Sequence, residues 1–327
     1  MQAMNSSETL DYRFGVVIPY FQRSRGVLAQ SLRSVAAQDV AARVLVVVVD
    51  DGSPVPAEEE VAEVEFPANF AVRIIHQANA GPGAARNHGI DALADVEFLA
   101  FLDSDDHWEA FHLASALHAF EQGFDYYTAE TLDVDSGYRR HADHFREGLP
   151  LQPTRSAPWA HELKAPLINF SVRGPIAGSS TFVARRTLIG ETRYRTDLKT
   201  SGEDGLFATC LAAKQPRVMV SSRVDVKIGR GVNIFSAGDW GSAACSRRAM
   251  YFLRSRLLMR PLVMPFPEAM SFLQGAISKA RLEVWRSIIA NVRRGGVPWS
   301  DLARLVAADP KLLLALPALL MAYLRPR

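Results

Sequence analysis

The chain has 327 residues, of which 48% are hydrophobic and 22% are charged, and this composition suits a folded protein with a buried core. Its formal net charge of +2 gives no general electrostatic reason to bind nucleic acid, so no nucleic-acid partner is expected. The only two cysteines, Cys210 and Cys245, lack a CxxC spacing, which argues against a disulfide scaffold and a structural zinc site and favours a reducing compartment. Residues 1–12 lack the pattern of an export signal, so we expect a flexible N-terminus and a cytoplasmic location.

The first hundred residues alternate between strand and helix patterns. Apolar runs predict strands at 14–19, 43–49, 72–76 and 96–102, and helical spacing predicts helices at 27–37 and 83–93. This alternation predicts an α/β fold with a parallel, doubly wound sheet and right-handed crossovers. Ligands of such sheets bind beyond the carboxyl ends of the strands, which is where two acidic clusters fall.

The later part of the chain changes character twice. Alternating residues at 124–144, a strand at 181–184 and a strand at 217–228 predict mixed or antiparallel strands, with a helix at 204–213. Beyond Trp240, helices are predicted at 241–259, 267–294, 299–307 and 311–324. We therefore predict a catalytic domain at 13–238, with halves at 13–106 and 107–238, and a helical C-terminal region at 239–327.

The first acidic cluster, Asp50-Asp51-Gly52-Ser53, follows a predicted strand. Its carboxylates are suited to accept hydrogen bonds from a base imide or from ribose hydroxyls. The alternative is a surface Asp-Gly turn.

A loop of small residues, Asn79 to Asn87, leads into a predicted helix. Small side chains allow a ligand to approach the main chain closely, and Arg86 is suited to pair with a phosphate or to hold an acidic loop. The loop matches neither a Walker loop nor a dinucleotide fingerprint. The alternative is a capped helix start.

The second acidic cluster is Leu102-Asp103-Ser104-Asp105-Asp106. Three acids within four residues repel one another unless a cation or hydrogen-bond donors compensate, and alternate carboxylates suit a hard divalent ion that also holds a pyrophosphate. A helix N-cap by Asp105 or Asp106 would explain only one of these acids.

The order of these motifs, after Val17-Ile18-Pro19-Tyr20, resembles the family 2 glycosyltransferases with the GT-A fold, from about Phe14 to Ile234. That fold implies a mixed, mainly parallel sheet flanked by helices, here with a helical C-terminal extension. By resemblance, Pro19 and Asp51 flank the nucleotide base, Arg86 and Asp103 lie near the ribose and diphosphate, and Asp105 with Asp103 holds Mg2+ or Mn2+. The full set of residues expected at the donor is Pro19, Tyr20, Asp50, Asp51, Gly81, Gly83, Arg86, Asp103, Ser104 and Arg230.

The sequence Gly202-Glu203-Asp204 is similar to the acceptor-side acidic motif of that family, in which a carboxylate takes the proton of the attacking hydroxyl. An inverting transfer needs such a base opposite the leaving diphosphate, and Asp204 is the first choice, with Glu203 as its rival. The alternative is that both acids only complement the positive end of a helix.

Two departures from the family pattern refine this prediction. Processive synthases carry Gln-x-x-Arg-Trp, whereas Gly238-Asp239 precedes Trp240 here, which implies addition of a single sugar. The histidine that many relatives place after the last strand is missing from 227–233, where Lys227, Arg230 and Asn233 are left as candidate contacts of the diphosphate.

Short strings at 18–23 and 229–234 are similar to bacterial exopolysaccharide glucosyltransferases of the succinoglycan-assembly type. That similarity implies a UDP-glucose donor and a glycan acceptor, specifically a polyprenyl-diphosphate-linked oligosaccharide at the inner face of the cytoplasmic membrane. The apolar stretch at 312–324 is too short to span a bilayer. Peripheral membrane contact, packing on the domain and a homodimer contact stay open for it. The alternative functions are a sugar nucleotidyltransferase and a non-catalytic nucleotide-sugar-binding protein.

Overall fold

The computed structural model describes residues 12–144, 148–174, 178–199, 201–229, 240–292 and 296–317. Its first half contains β1 (Phe14–Tyr20), α1 (Val27–Ala36), β2 (Val44–Asp50), α2 (Ala57–Val61), β3 (Phe70–His76), α3 (Pro82–Ala92), β4 (Phe98–Phe101), β5 (His107–Trp108), α4 (His112–Glu121) and β6 (Tyr126–Asp133). Its second half contains β7 (Leu151–Pro153), β8 (Ala160–Leu163), α5 (Ile168–Ser171), β9 (Phe182–Arg185), α6 (Arg186–Ile189), α7 (Glu203–Ala212), β10 (Val218–Ile228), α8 (Ala243–Val263), α9 (Pro267–Val292) and α10 (Trp299–Ala308). The structure also contains a π-helical turn at Arg140–His144 and a 3-10 turn at Ser179–Thr181.

The described residues form two compact units. Unit 1 comprises 12–144, 148–164, 178–192 and 216–229, and unit 2 comprises 165–174, 193–199, 201–215, 240–292 and 296–317. All of the named strands belong to unit 1, whereas α5 and α7 to α10 belong to unit 2. Both units combine segments that are distant in the sequence. The boundaries predicted near residues 106 and 238 stay a prediction.

The strands of unit 1 form one sheet in the order β3-β2-β1-β4-β9-β6-β10-β8-β7, with β5 paired to β10. The pairs β3-β2, β2-β1, β1-β4 and β6-β10 are parallel, and the remaining pairs are antiparallel. All seven side chains of β1 and all seven of β2 are buried, as expected for parallel strands at the centre of a sheet. The predicted mixed α/β sheet flanked by helices is confirmed.

Helix α3 lies unusually close to β1. A Cβ atom at Gly89 would lie 2.3 Å from Cγ1 of Val17, so only glycine permits this separation between helix and sheet. In a right-handed crossover the helix begins at the edge where the preceding strand ends. The close packing therefore fixes the start of α3, including Arg86, at the carboxyl edge of the sheet.

Two short helices of unit 1 depend on contacts that hydrophobic periodicity does not encode. The N-H of Ala57, at the start of α2, donates to Oδ2 of Asp50 over 3.2 Å. The buried carboxylate of Glu60 accepts hydrogen bonds from the N-H groups of Gly26 and Ala29, at 2.6 and 3.0 Å, at the start of α1. Helix α2, which the sequence pattern did not predict, is therefore capped by the end of β2 and itself caps the start of α1.

Unit 2 is helical, and its longest elements are α8 and α9. Helix α8 continues past its predicted end at 259 to Val263, with Pro261 inside its last turn. Arg281 and Asp309 form a bidentate ion pair at 2.7 Å, and Nε1 of Trp285 donates to the carbonyl of Leu312 over 2.8 Å. These contacts tie the segment after α10 to α9.

The predicted helix at 311–324 is described only to residue 317, and residues 312–317 are helical. The side chain of Leu312 is buried, whereas Leu313 and Leu314 are 50% and 72% exposed. The start of the segment therefore packs within unit 2 and also presents two leucines to solvent. Within the described ranges, no helix has the length and apolar character needed to cross a bilayer.

Candidate active site

The carboxyl ends of β1, β2 and β4 meet at one edge of the sheet in unit 1. In the registers of this sheet Tyr20 pairs with Asp50, and β1 also pairs with β4. The two acidic clusters predicted from the sequence are therefore brought to the same edge, together with the loop that begins α3. Pro19 and Tyr20 lie buried at the end of β1 beside them.

The first acidic cluster is held by main-chain N-H groups. Oδ1 of Asp50 accepts from Ser53 over 2.7 Å, and its Oδ2 accepts from Ala57 over 3.2 Å. Asp51 accepts from the main chain of Ala80 and Gly81, at 2.8 and 2.9 Å. Both acids are 4% exposed, so they organise the turn and the small-residue loop.

The loops after β1, β2 and β4 are linked through hydroxyl groups. Oγ of Ser53 accepts from the N-H of Gln22 and donates to its carbonyl, at 2.9 and 3.0 Å. The buried Gln22 amide in turn donates to Oγ of Ser104 over 3.2 Å. The turn at Asp50–Ser53 and the second acidic cluster are therefore joined by one series of hydrogen bonds.

Arg86 lies at the first turns of α3 and contacts the second acidic cluster. Its Nη2 donates to Oδ1 of Asp103 over 2.6 Å, and only 4% of the arginine side chain is exposed against 35% of the aspartate. A buried guanidinium beside a carboxylate neutralises part of the charge that three nearby acids would otherwise build up. Of the two roles left open by the sequence, the structure shows Arg86 in contact with the acidic loop.

Asp106 is the most enclosed acid of that cluster. Its Oδ2 accepts from the hydroxyl of Ser180 over 2.6 Å, and its Oδ1 accepts from the N-H of Gly229 over 3.0 Å. Burial raises the pKa of Asp106 to about 7, the charges of Asp103 and Asp105 add to this, and the two hydrogen bonds oppose it. Both of its oxygens are thus used within the protein.

Asp103 and Asp105 are the acids of this loop that remain partly exposed to solvent. Two carboxylates on one short loop offer the hard oxygen donors that Mg2+ and Mn2+ prefer, and the enclosed Asp106 does not compete with them. The donor chemistry of the residues therefore fits the divalent ion that the sequence predicts.

A second group of metal-type ligands consists of Asp50, Glu58 and His76, whose ligand atoms lie within 4.8 Å of one another. His76 contacts Glu58 at 2.7 Å on an exposed surface, while both oxygens of Asp50 already accept main-chain N-H groups. These contacts are those of a capped turn.

Tyr20 is the last residue of β1 and pairs with Asp50 at this edge of the sheet. Its side chain is almost completely buried, and burial raises its pKa to about 12. The hydroxyl therefore stays protonated at neutral pH.

Glu203 and Asp204 occupy the first turn of α7, which belongs to unit 2. Gly202 precedes them with φ of 90°, a left-handed conformation that glycine adopts without strain. A Cβ atom at Gly202 would also lie 2.4 Å from Oγ of Ser255 on α8. The two acids are thus presented at a helix start whose backbone position is fixed within unit 2, and their catalytic assignment stays a prediction.

Of the residues near the end of β10 that the sequence offers as contacts of the diphosphate, the structure describes only Lys227. The ammonium group of Lys227 lies 2.6 Å from Oε1 of Glu109, so this lysine forms an ion pair within unit 1. Arg230 and Asn233 lie outside the described residues.

The residues that sequence reasoning missed are those that hold the acidic loop. Ser180 and Gln22 contact it from segments 77 and 82 residues away, and Oγ of Ser31 donates to the carbonyls of Asp103 and Asp106. A lone serine or glutamine is no motif, so only the fold reveals these contacts.

Comparisons with known proteins place this geometry in a family. The family model described as Glycosyl transferase family 2 matches residues 15–178. The succinoglycan biosynthesis protein ExoW of Rhizobium meliloti is 31% identical over 309 residues, which cover 91% of this chain and 94% of that protein. The minor teichoic acid biosynthesis protein GgaA of Bacillus subtilis is 28% identical over 62% of this chain and 44% of that protein.

Solved structures show the same fold. Residues 1–349 of S. aureus TarS, in complex with UDP-GlcNAc, match with a TM-score of 0.63 at 20% identity, over 93% of this chain and 81% of that one. This chain spans only 43% of a longer TarS chain. The mannosyltransferase PcManGT from Pyrobaculum calidifontis, in complex with GDP-Man and Mn2+, matches with a TM-score of 0.55 at 19% identity, over 95% and 88% of the two chains.

These matches set aside the alternatives of a sugar nucleotidyltransferase and of a binding protein without catalysis. The family model spans both acidic strand ends and the loop that carries Arg86, and the match to ExoW extends over nearly the whole chain. The chain is a glycosyltransferase enzyme and belongs to glycosyl transferase family 2.

Proposed function

We propose that this enzyme transfers one glucose from UDP-glucose to a glycan acceptor, a polyprenyl-diphosphate-linked oligosaccharide, in exopolysaccharide biosynthesis. The acidic loop at the carboxyl edge of the sheet, held by Arg86 and with Asp103 partly exposed, is the observation that carries the proposal. The similarity to a succinoglycan biosynthesis protein over 91% of the chain supports the assignment to exopolysaccharide biosynthesis.

In this proposal the donor lies at the ends of β1, β2 and β4. Asp51 holds the loop at 80–81 through two hydrogen bonds and would, together with Pro19, flank the nucleotide base. Asp103 and Asp105 would hold Mg2+ or Mn2+, which supplies charge neutralisation for the departing diphosphate. Arg86 holds Asp103 in place through its hydrogen bond.

Asp204 is proposed as the general base, with Glu203 as the alternative. It would take the proton of the acceptor hydroxyl as that oxygen attacks the anomeric carbon from the face opposite the diphosphate. Inversion at that carbon converts the α-linkage of UDP-glucose into a β-glucoside.

The exposed Leu313 and Leu314, in a region rich in arginine, support peripheral contact with the cytoplasmic face of a membrane that carries the acceptor. A variant with aspartate at both positions should lose flotation with anionic vesicles that the unaltered protein shows. Equal flotation of the two proteins would contradict this part of the proposal.

The decisive experiment offers the purified protein a panel of UDP- and GDP-sugars with Mn2+, with Mg2+ or with EDTA, and measures release of the nucleoside diphosphate. We expect the fastest release from UDP-glucose, and only with a divalent ion. With a lipid-linked acceptor, the coupling constant of the new anomeric proton should report a β-linkage. Full activity in EDTA, a preference for a GDP-sugar or an α-linked product would each contradict the corresponding part of the proposal.

A further inference from the structure

Ser180 makes three hydrogen bonds around the acidic loop, although it lies more than seventy residues away in the sequence. Its hydroxyl accepts from the N-H of Asp103 over 3.0 Å and donates to Oδ2 of Asp106 over 2.6 Å. Its carbonyl accepts from Nε1 of Trp108 over 2.7 Å. Ser180 is 2% exposed, so these bonds face little competition from water.

Gly229 contacts the same loop from the end of β10. Its N-H donates to Oδ1 of Asp106, and a Cβ atom on this residue would lie 1.4 Å from the carbonyl oxygen of Asp105. Since no side chain fits at that distance, this position must be glycine so that the main chain can approach residue 105 closely. Two segments that are distant in the sequence, at Ser180 and at Gly229, therefore both hold this loop.

We propose that Ser180, Asp106 and Gly229 form a brace that fixes the backbone of residues 103–106, so that Asp103 and Asp105 present their carboxylates to one divalent cation. The three are positioning residues, and Asp106 acts through its hydrogen bonds and not as a ligand. This inference rests on the proposed function, in which Asp103 and Asp105 hold the ion.

The contacts of the acids distinguish the positioning role of Asp106 from the ligand role proposed for Asp103 and Asp105. Asp106 is 6% exposed and its two oxygens accept from two separate segments, whereas the side chain of Asp103 is 35% exposed. A ligand loop held at its own main chain loses less conformational freedom when it binds an ion. Loss of one such support typically weakens metal binding by about tenfold to a hundredfold.

The test measures Mn2+ affinity of the full chain in the presence of UDP by electron paramagnetic resonance, together with the dependence of turnover on Mn2+. Ser180→Ala should weaken Mn2+ binding about tenfold or more while kcat at saturating Mn2+ stays within a few-fold of the unaltered enzyme. Ser287→Ala removes a buried hydroxyl from α9 and is the matched control, which should leave Mn2+ affinity unchanged.

Two further pairs separate positioning from ligation and from misfolding. Asp106→Asn keeps an acceptor for Gly229 and a polar partner for Ser180, so it should retain much more Mn2+ affinity than Asp106→Ala. Gly229→Ala should weaken binding, whereas Gly275→Ala, at a helical site with open space around its Cβ, should not. Thermal unfolding of each variant identifies any that fail to fold.

The outcomes distinguish the brace from the proposed function. Wild-type Mn2+ affinity in Ser180→Ala, or equal losses in Asp106→Asn and Asp106→Ala, would overturn the brace and leave the proposed function standing. An unaltered protein that binds Mn2+ with UDP but processes no nucleotide sugar would overturn the proposed function, while the binding series still decides the brace. Failure of the unaltered protein to bind Mn2+ would overturn both.

Discussion

The strands on either side of β1 both lead into acidic residues, and the protein uses the two sets differently. At the end of β2, the buried Asp50 and Asp51 accept hydrogen bonds from four main-chain N-H groups. After β4, only Asp106 is enclosed in this way, while Asp103 pairs with Arg86 and keeps a third of its side chain in solvent. Acids at equivalent ends of parallel strands thus hold the main chain of neighbouring loops in one case and stay partly exposed to solvent in the other.

The largest effect is expected at Asp105, a proposed ligand of the divalent ion. Asp105→Ala should reduce turnover by about a thousandfold, or ~4 kcal/mol of transition-state stabilisation, because the cation would lose a ligand. Steady-state release of the nucleoside diphosphate measures this, with Asp95→Ala, an exposed acid of the same unit, as the control. If Asp105→Ala turned over near the wild-type rate, the proposal that the second cluster holds the ion while the first has a structural role would be contradicted.

A second prediction extends the contrast to the acids of unit 2. Asp204→Asn should cut the transfer rate by about a hundredfold or more while donor affinity stays near its original value, as expected for a lost general base. Glu203→Gln is the matched variant at the neighbouring position. If Glu203→Gln is inactive and Asp204→Asn transfers normally, the assignment must be reversed.

Asp50 should matter first for stability. Asp50→Ala leaves the N-H groups of Ser53 and Ala57 without their acceptor, which should lower the free energy of unfolding by about 2 kcal/mol. Chemical denaturation measures this loss, and Asp95→Ala again serves as the control. A variant as stable as the unaltered protein would show that the first cluster is not the structural one.

The smallest effect concerns Tyr20, beside Asp50 at the end of β1. Because its folded pKa of about 12 lies above its ordinary value of 10.0, its protonated form contributes stability below pH 10 that is lost as pH rises through 12. Tyr20→Phe should flatten the loss of unfolding free energy across this range, by less than the ~2.7 kcal/mol that two pKa units represent. Tyr138→Phe, at an exposed position, is the control and should leave this loss unchanged. Parallel stability curves for the variant and the unaltered protein would contradict the prediction.

The sequence predicted the elements whose pattern is local. The continuous apolar runs of β1 and β2 and the helical spacing of α1 place these elements within one or two residues of where they lie. The motif order also predicted the family. Helix α2 was missed because its start depends on Asp50, and the enclosure of Asp106 was missed because its partners come from Ser180 and Gly229. Those contacts exist only after the sheet has assembled, and no short window of sequence contains them.

The hydrogen-bonded chain from Ser53 through Gln22 to Ser104 has an evolutionary consequence. It joins the loops after three strands, so a substitution that reshapes one loop is transmitted to the others. The effects of substitutions at Gln22 and Ser104 on stability should be non-additive, because each substitution removes the other residue's hydrogen-bond partner. Evolution of a new donor specificity would then favour paired replacements at these positions over single ones. Related sequences should therefore tend to change at both positions together.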